Sequence, residues 1–217
     1  MEPKSEIYNT DCIEFMRTLP DKSFSLAIAD PPYGIDAANM NMGSGKNHNW
    51  TKKDWDTHIP MDEFFHELMR VSEEQIIWGG NYFNLPPNGN WIVWDKKKPG
   101  LSFAEGELAW CSIKRNVRIF PYYTGRVDEG GRSHPTQKPV ALYAWLLKNY
   151  AKEGDTIFDP MMGSASSRIA AYKLGFDYTG CELDQEYYDQ GCERFNRVCK
   201  GTTTLSNGKK VVEQTLF

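Results

Sequence analysis

Asp30, two prolines and Tyr33 form the stretch of this 217-residue chain whose residue types are best suited to chemistry. They follow the apolar run Phe24–Ala29, which predicts a buried β-strand. Pro31 and Pro32 fix φ and remove two backbone donors, so the strand must end in a stiff turn. A carboxylate, backbone carbonyls and an aromatic ring then project from the carboxyl end of a strand, where open α/β sheets bind ligands. Taken alone, the four residues also fit a proline-rich surface turn.

A second group of candidate site residues lies far along the chain, between Thr156 and Glu182. The segment reads as a short strand ending at Asp159, a turn of small residues, a helix, and a strand that ends on Glu182. Backbone N–H groups at a helix N-terminus can donate hydrogen bonds to the polar part of a ligand. An acid at the end of the next strand can hold a ribose. The pattern is therefore that of a nucleotide half-site, although it is not GxGxxG.

The elements expected to position these residues alternate between strands and helices in one α/β domain. Asp11 is a candidate N-cap for a short helix. Gly175 is a candidate C-cap for the helix that precedes the strand ending at Glu182. Asn207-Gly208 lies between two short β-prone runs and predicts a hairpin in the tail, residues 201–217. The other predicted helices are Met61–Val71, Val140–Ala151 and Asp184–Lys200, and the other predicted strands are Gln75–Trp78, Trp91–Trp94, Glu107–Ser112 and Val117–Tyr122.

Composition excludes several classes of protein. The net charge of -4 and the pI of about 5.6 leave no global basic field for nucleic acid, so a polyanion site must be local. Five cysteines without CxxC spacing argue against disulfides and zinc, and we expect no metal site. The N-terminus is polar and no apolar run approaches spanning length. We therefore expect a reduced, soluble, cytoplasmic protein without a membrane partner.

Two segments are candidates for substrate contact. Residues 36–58 are polar, Gly-rich and without periodicity, which fits a mobile lid or substrate-binding loop as well as a disordered insertion. Between Asp95 and Lys138, nine Lys and Arg residues stand against five acids. This local basic patch would be only a solvated face if it stood alone.

Taken together, the motifs resemble those of the amino DNA methyltransferases. They are the tetrapeptide DPPY at Asp30–Tyr33, HPTQKP at His134–Pro139, DPMMGS at Asp159–Ser164, and the acid Glu182. Because DPPY precedes the cofactor loop, the chain resembles the β group of circularly permuted, S-adenosylmethionine-dependent enzymes. The resemblance covers residues 9–34 and 132–200 well, and the segment between them only loosely. It implies a permuted, Rossmann-like fold with a doubly wound, mostly parallel sheet and a small target-recognition insertion, here 95–132.

The resemblance also implies S-adenosylmethionine as the cofactor. Glu182 would hold its ribose hydroxyls, and His134 and Lys138 its carboxylate. The cofactor loop departs from the family pattern: Met161 replaces the usual Phe, Ala165 replaces the last Gly, and Ser166 and Ser167 stand in for the usual threonines. The implied cofactor-binding residues are Asp11, Cys12, Asp30, His134, Thr136, Lys138, Asp159, Pro160, Gly163, Ser164, Ser166 and Glu182.

The implied catalytic residues are Asp30, Pro31, Pro32 and Tyr33. An exocyclic amine on a base is a poor nucleophile because its lone pair is delocalised into the ring. Asp30 and the carbonyl of Pro31 would each accept one amine N–H, which frees that lone pair for the methyl group. Tyr33 would offer a stacking face to a base flipped out of the duplex.

The resemblance therefore predicts a methyltransferase specific for the N6 of adenine in DNA. The alternatives are a cytosine-N4 enzyme, an RNA base-amine methyltransferase and a catalytically inactive DNA-binding relative. The aspartate of DPPY favours adenine, because similar cytosine enzymes more often carry Ser there. DNA is the expected partner, and a homodimer is a further expectation. The last five residues, Glu213–Phe217, faintly resemble peptides that dock on sliding clamps, with core packing of Leu216 and Phe217 as the alternative.

Overall fold

Strand order decides which parts of this chain meet, and a computed structural model provides that order. The structure describes residues 2–34, 60–87, 90–97, 104–123, 131, 137–204 and 210–212. The predicted lid 36–58, His134, Thr136 and the terminal residues 213–217 lie outside the described residues. None of the helices that the structure describes has the length and apolar character needed to cross a bilayer.

Ten strands and five α-helices make up the described part of the chain, with a 3-10 turn at Gly80–Tyr82. The strands are β1 Ser5–Asn9, β2 Phe24–Ala29, β3 Ser72–Trp78, β4 Trp91–Asp95, β5 Gly106–Cys111, β6 Arg118–Pro121, β7 Thr156–Asp159, β8 Asp177–Glu182, β9 Thr202–Thr204 and β10 Lys210–Val212. The helices are α1 Cys12–Arg17, α2 Asp62–Val71, α3 Val140–Tyr150, α4 Ser166–Lys173 and α5 Gln185–Lys200.

Eight of these strands form one sheet in the order β1-β8-β7-β2-β3-β5-β4-β6. All neighbouring strands run parallel except that β5 is antiparallel to β3 and β4. The predicted mostly parallel sheet is therefore confirmed. β2 and β7 are adjacent in the middle, with Leu26 opposite Ile157 and Ala27 opposite Phe158. This pairing brings the DPPY turn beside the cofactor loop, although 129 residues separate Asp30 from Asp159 in the sequence.

Helices cover both faces of the sheet, as expected for a doubly wound fold. On one face, α3, α4 and α5 pack against Leu26 and Ile28 of β2. On the other face, α1 and α2 pack against Ala27 and Ala29. Since side chains alternate along a strand, the short apolar run of β2 is buried on both sides.

Local signals account for most element boundaries. Asp11 caps α1, with its Oδ1 accepting from the amides of Ile13 (2.7 Å) and Glu14 (3.1 Å). Asp184 caps α5 in the same way, and β9 pairs antiparallel with β10 as the predicted tail hairpin. The prediction missed β1, which is short and polar and pairs with β8 at the edge of the sheet.

Candidate active site

The carboxyl ends of β2, β7 and β8 converge on one cavity of about 670 Å³. Ligand pockets for small molecules typically have volumes of about 300–1,000 Å³. The predicted site residues that line the cavity are Asp11, Cys12, Asp30, Pro32, Lys138, Pro160, Gly163, Ser164, Ser166 and Glu182. Sheet topology thus joins the two halves of the site that the sequence keeps apart.

Among the predicted cofactor-binding residues that the structure describes, Asp159 does not line this cavity. It is buried, and its Oδ1 accepts from the amide of Met161 (3.0 Å) while Oδ2 accepts from Ser167 Oγ (2.5 Å). Burial raises the pKa of this carboxyl to about 7, which the two hydrogen bonds oppose. Its contacts shape the loop rather than face the cavity.

Glu182 ties the cofactor loop to the end of β8. Its Oε2 accepts from the amide of Gly163 and its Oε1 from the amide of Asp184, both at 2.9 Å. Burial raises the pKa of the carboxyl, and these amide hydrogen bonds oppose the shift. Each carboxylate oxygen has about two acceptor positions, so both can still accept from a ligand hydroxyl.

The cofactor loop takes a left-handed conformation at two positions, Gly163 with φ 51° and Ala165 with φ 62°. Ala165 is the N-cap of α4 and is fully buried. An L-residue in this region costs about 1–2 kcal/mol, which explains why a glycine is usual there in the resembling family. Arg194 steadies the strained loop, since its Nη1 donates to the carbonyl of Ser164 (2.7 Å) and to Ser166 Oγ (2.8 Å).

At the DPPY turn, Asp30 is bound directly by two neighbours. Its Oδ1 accepts from Tyr33 Oη (2.7 Å) and from Lys138 Nζ (2.5 Å). Lys138 precedes α3 and was expected to bind the cofactor carboxylate. The structure places its ammonium between a second acid and the predicted catalytic residues Asp30 and Tyr33.

That second acid is Glu107 on β5, which sequence reasoning did not identify. Its Oε2 lies 3.0 Å from Lys138 Nζ, and its Oε1 lies 2.6 Å from Lys96 Nζ. We call Asp30, Lys138, Glu107 and Lys96 the charge cluster. The Lys138 side chain is only 3% exposed, and Asp30 and Glu107 are about one-fifth exposed. The only sequence signal for Glu107 was an acid within an otherwise apolar strand run.

The pKa values in the charge cluster follow from burial and mutual attraction. Burial raises the pKa of Asp30, and Lys138 opposes this shift. Burial would also raise the pKa of Glu107, but the two lysines outweigh it and lower that pKa to about 2. Burial would lower the pKa of Lys138, but Asp30 and Glu107 raise it. Glu107 and Lys138 are therefore charged at neutral pH.

The Tyr33 ring is confined on two sides. It stacks on Tyr82 with a centroid distance of 5.2 Å and an interplanar angle of 16°. It also lies so close to Gly79 that a Cβ there would fall 2.2 Å from Tyr33 Cε1. A base that stacks on the ring face now covered by Tyr82 must displace that side chain. Pro31 is buried, and Pro32 lines the cavity.

Some cations of the predicted basic patch have partners within the described residues. Lys96 and Lys138 belong to the charge cluster. Arg115 donates to the carbonyl of Asn149 (2.5 Å), and Arg118 donates to the side-chain oxygen of the same residue (3.1 Å). Moreover, β5 lies inside the main sheet between β3 and β4. Residues 106–111 and, in β6, residues 118–121 therefore belong to the sheet that carries the site, and a DNA-facing role of 95–132 stays a prediction.

Comparison with known protein families and sequences gives matches over most of the chain. Residues 110–193 match the N6_N4_Mtase family model, described as DNA methylase. The type II methyltransferase M.HinfI of Haemophilus influenzae is 26% identical over 247 residues, covering 88% of this chain and 68% of that protein. The type II methyltransferase M2.MboI of Moraxella bovis is 25% identical over 250 residues, covering 93% and 90%. The family match includes the cofactor loop but not the DPPY turn.

Solved structures share the fold. The crystal structure of the M1.HpyAVI–SAM complex superposes with a TM-score of 0.60 and 21% identity, covering 87% of this chain and 98% of that chain. The PvuII DNA methyltransferase, described as cytosine-N4-specific, has a TM-score of 0.55 and 14% identity, covering 95% of each chain. The eight-stranded sheet is thus an architecture that proteins described as DNA methyltransferases also adopt.

Proposed function

We propose that this protein, an amino DNA methyltransferase by its family match and relatives, transfers a methyl group from S-adenosylmethionine to the N6 of adenine in DNA. The observation that carries the proposal is the shared cavity: Asp30 borders the same space as Gly163 and Glu182. The proposed acceptor for an amine and the proposed nucleotide half-site therefore line the same cavity.

The residues at this cavity fit S-adenosylmethionine. Glu182 has acceptor positions for ribose hydroxyls. Asp11 and Cys12 line the same cavity, and the adenine of the cofactor would lie beside them. The volume of about 670 Å³ is adequate for a cofactor of this size. When bound, the cofactor would supply a methyl group on a sulfonium, a leaving group that needs neither an acid nor a metal. Which residues hold its carboxylate is part of the proposal, since His134 and Thr136 lie outside the described residues.

Asp30 would act through the carboxylate oxygen that points away from Lys138. Oδ1 already accepts from Lys138 and Tyr33, whereas Oδ2 makes no hydrogen bond to a described residue. Oδ2 and the carbonyl of Pro31 would accept the two N–H groups of the target amine. That arrangement pulls the nitrogen toward tetrahedral geometry and aims its lone pair at the methyl group. Lys138 favours the ionised form of Asp30 that this role needs.

The target base would reach the cavity by flipping out of the duplex. Flipping costs a few kcal/mol, and stacking on an aromatic ring returns about 1–3 kcal/mol. Tyr33 would supply that ring once Tyr82 moves from its face. DNA contacts elsewhere would come from the predicted loop 36–58 and the remaining cations of 95–132.

Adenine is favoured over cytosine by the residue type at position 30. An aspartate begins DPPY here, and cytosine enzymes that resemble this chain more often carry Ser. The fold does not separate the two, because the cytosine-N4-specific PvuII enzyme has a similar architecture. Cytosine N4 is therefore the second candidate, followed by an RNA base amine and an inactive DNA-binding relative. Cytoplasmic location, a homodimer and clamp docking through Glu213–Phe217 remain predictions.

Mass spectrometry of nucleosides tests the proposed function. The protein is expressed in a host without its own methylation, and methylated nucleosides are quantified in DNA and RNA. We expect N6-methyladenine in DNA, lost in Asp30→Asn but retained in Asp189→Asn, which removes an exposed carboxylate from α5. N4-methylcytosine, a signal in RNA alone, or no product from the unmodified protein would refute the proposal.

A further inference from the structure

Lys138 uses all three of its N–H donors inside the protein. Its Nζ lies 2.5 Å from Asp30 Oδ1, 3.0 Å from Tyr33 Oη and 3.0 Å from Glu107 Oε2. An ammonium group has three donors and no acceptor, so these three contacts saturate it. Glu107 thus completes the coordination of the lysine that binds both catalytic side chains.

A need to balance the charges of Asp30 and Lys138 does not explain why Glu107 is present. Asp30 and Lys138 already form a neutral pair at 2.5 Å. Glu107 adds a second carboxylate, which itself needs Lys96 as a partner at 2.6 Å. Burying charged groups costs free energy even when they are paired, and apolar residues often serve stability as well. An extra acid–base pair at the reacting end of the sheet therefore indicates a role in the chemistry.

The charge balance of methyl transfer gives Glu107 such a role. As the amine nitrogen forms its bond to the methyl carbon, the electron pair of the broken carbon–sulfur bond stays on sulfur. The nitrogen then carries positive charge until its extra proton leaves to solvent. Lys138, held next to Asp30, would repel that charge, and the carboxylate of Glu107 offsets the repulsion. In a water-poor site such fixed charges act strongly.

We propose that Glu107 is a positioning residue for the methyl transfer: it holds Lys138 so that Asp30 and Tyr33 are oriented, and it offsets the ammonium charge near the target amine. This inference rests on the proposed function. The other titratable groups that influence Asp30 are Tyr143 of α3 and Asp159 at the end of β7. Neither contacts Glu107 by a hydrogen bond in the described residues.

The decisive variant is Glu107→Gln, which keeps the shape of the side chain and removes its charge. The matched control is Glu73→Gln. It removes an exposed carboxylate near the beginning of β3, whereas the cavity lies at the carboxyl ends of the neighbouring parallel strands. We expect kcat to fall by about 10–100-fold, as for other outer partners of a reacting group. The KM for DNA and the Kd for S-adenosylmethionine should stay within about twofold of the unmodified protein. The control should leave all three unchanged.

The pH dependence separates positioning from structural support. Because Glu107 raises the pKa of both Asp30 and Lys138, Glu107→Gln should move both limits of the kcat–pH profile to lower pH. Glu107→Asp, which keeps the charge, should leave the limits in place. A readout without cofactor or DNA is the NMR titration of Lys138 through its Cε resonance, whose midpoint should fall in Glu107→Gln. Should that variant unfold, Lys96→Gln is expected to move the limits to higher pH.

Three results would overturn the inference. The first is equal activity in Glu107→Gln and Glu73→Gln. The second is a loss of kcat with unchanged pH limits and an unchanged Lys138 titration. The third is a loss of cofactor affinity as large as the loss of kcat. Absence of methylated DNA with the unmodified protein would instead refute the proposed function, while the Lys138 titration would still report on the contact with Glu107.

Discussion

Gly79, which packs against Tyr33 of the DPPY turn, should not tolerate a side chain. It has φ +68°, and a Cβ at this position would lie 2.2, 2.5 and 2.8 Å from three carbons of the Tyr33 ring. Carbon atoms normally approach to about 3.5–4.0 Å, so the ring must move by more than an ångström in Gly79→Ala. That movement would break the hydrogen bond from Tyr33 Oη to Asp30 Oδ1.

The destabilisation expected for Gly79→Ala has two parts, which a control variant of the same chain separates. The left-handed backbone costs about 1–2 kcal/mol for an L-residue, and overpacking against Tyr33 adds about 1–3 kcal/mol. Gly175→Ala is the matched control, because Gly175 has φ +80° and no atom within 4 Å of its Cβ position. We expect Gly175→Ala to lose only the backbone part and Gly79→Ala to lose about 2–5 kcal/mol.

Urea unfolding and steady-state kinetics measure the two effects. A misplacement of about 1 Å can cost about 100-fold in rate, so kcat should fall by that order in Gly79→Ala and stay unchanged in Gly175→Ala. The Kd for S-adenosylmethionine should change little, because Glu182 and Gly163 keep their contacts. Equal destabilisation of the two variants, or full kcat in Gly79→Ala, would refute this account of Tyr33.

The cofactor half of the site yields two further predictions. Glu182→Gln should weaken binding of S-adenosylmethionine about tenfold or more, because a charged acceptor for the ribose is lost; calorimetry that finds an unchanged Kd would contradict this role. Asp159 has its pKa raised from 3.8 to about 7, so the folded state binds this proton more tightly than the unfolded state does. Its contribution to the free energy of unfolding is therefore greatest below pH 3.8 and is lost as pH rises through about 7. The difference in unfolding free energy, Asp159→Asn minus unmodified protein, should rise across that window in urea titrations, and a flat difference would contradict the pKa shift.

Local sequence patterns were sufficient where neighbouring residues decide the structure. The apolar run Phe24–Ala29 became β2 with the predicted bounds, because prolines cannot continue a central strand. Asp11 caps α1 as expected. β3 begins at Ser72 rather than Gln75, since pairing with β2 extends it beyond its apolar run. Short polar β1 escaped prediction because only its pairing with β8 makes it a strand.

Motif order in the sequence likewise indicated the protein class and ten of the 22 described residues that line the cavity. Small residues after β7 and an acid at the end of β8 are typical of a site that holds a polar ligand, although small residues after a strand also recur in many other folds. Asp159 was assigned to that ligand as well, yet its contacts lie within the loop. A carboxylate that begins a turn can serve either purpose, and local sequence does not tell the two apart.

The sequence by itself determined most of the elements, the DPPY turn and the residue types around the cofactor loop, because those depend on short-range sterics and hydrogen bonds. Only the tertiary structure decided that Glu107 contacts Lys138, that Lys138 contacts Asp30, and that Tyr82 covers Tyr33. These contacts require β5 to insert antiparallel between β3 and β4, and β2 to lie next to β7. Strand order arises from packing and pairing summed over the whole sheet, so no local pattern near Glu107 specifies its partner.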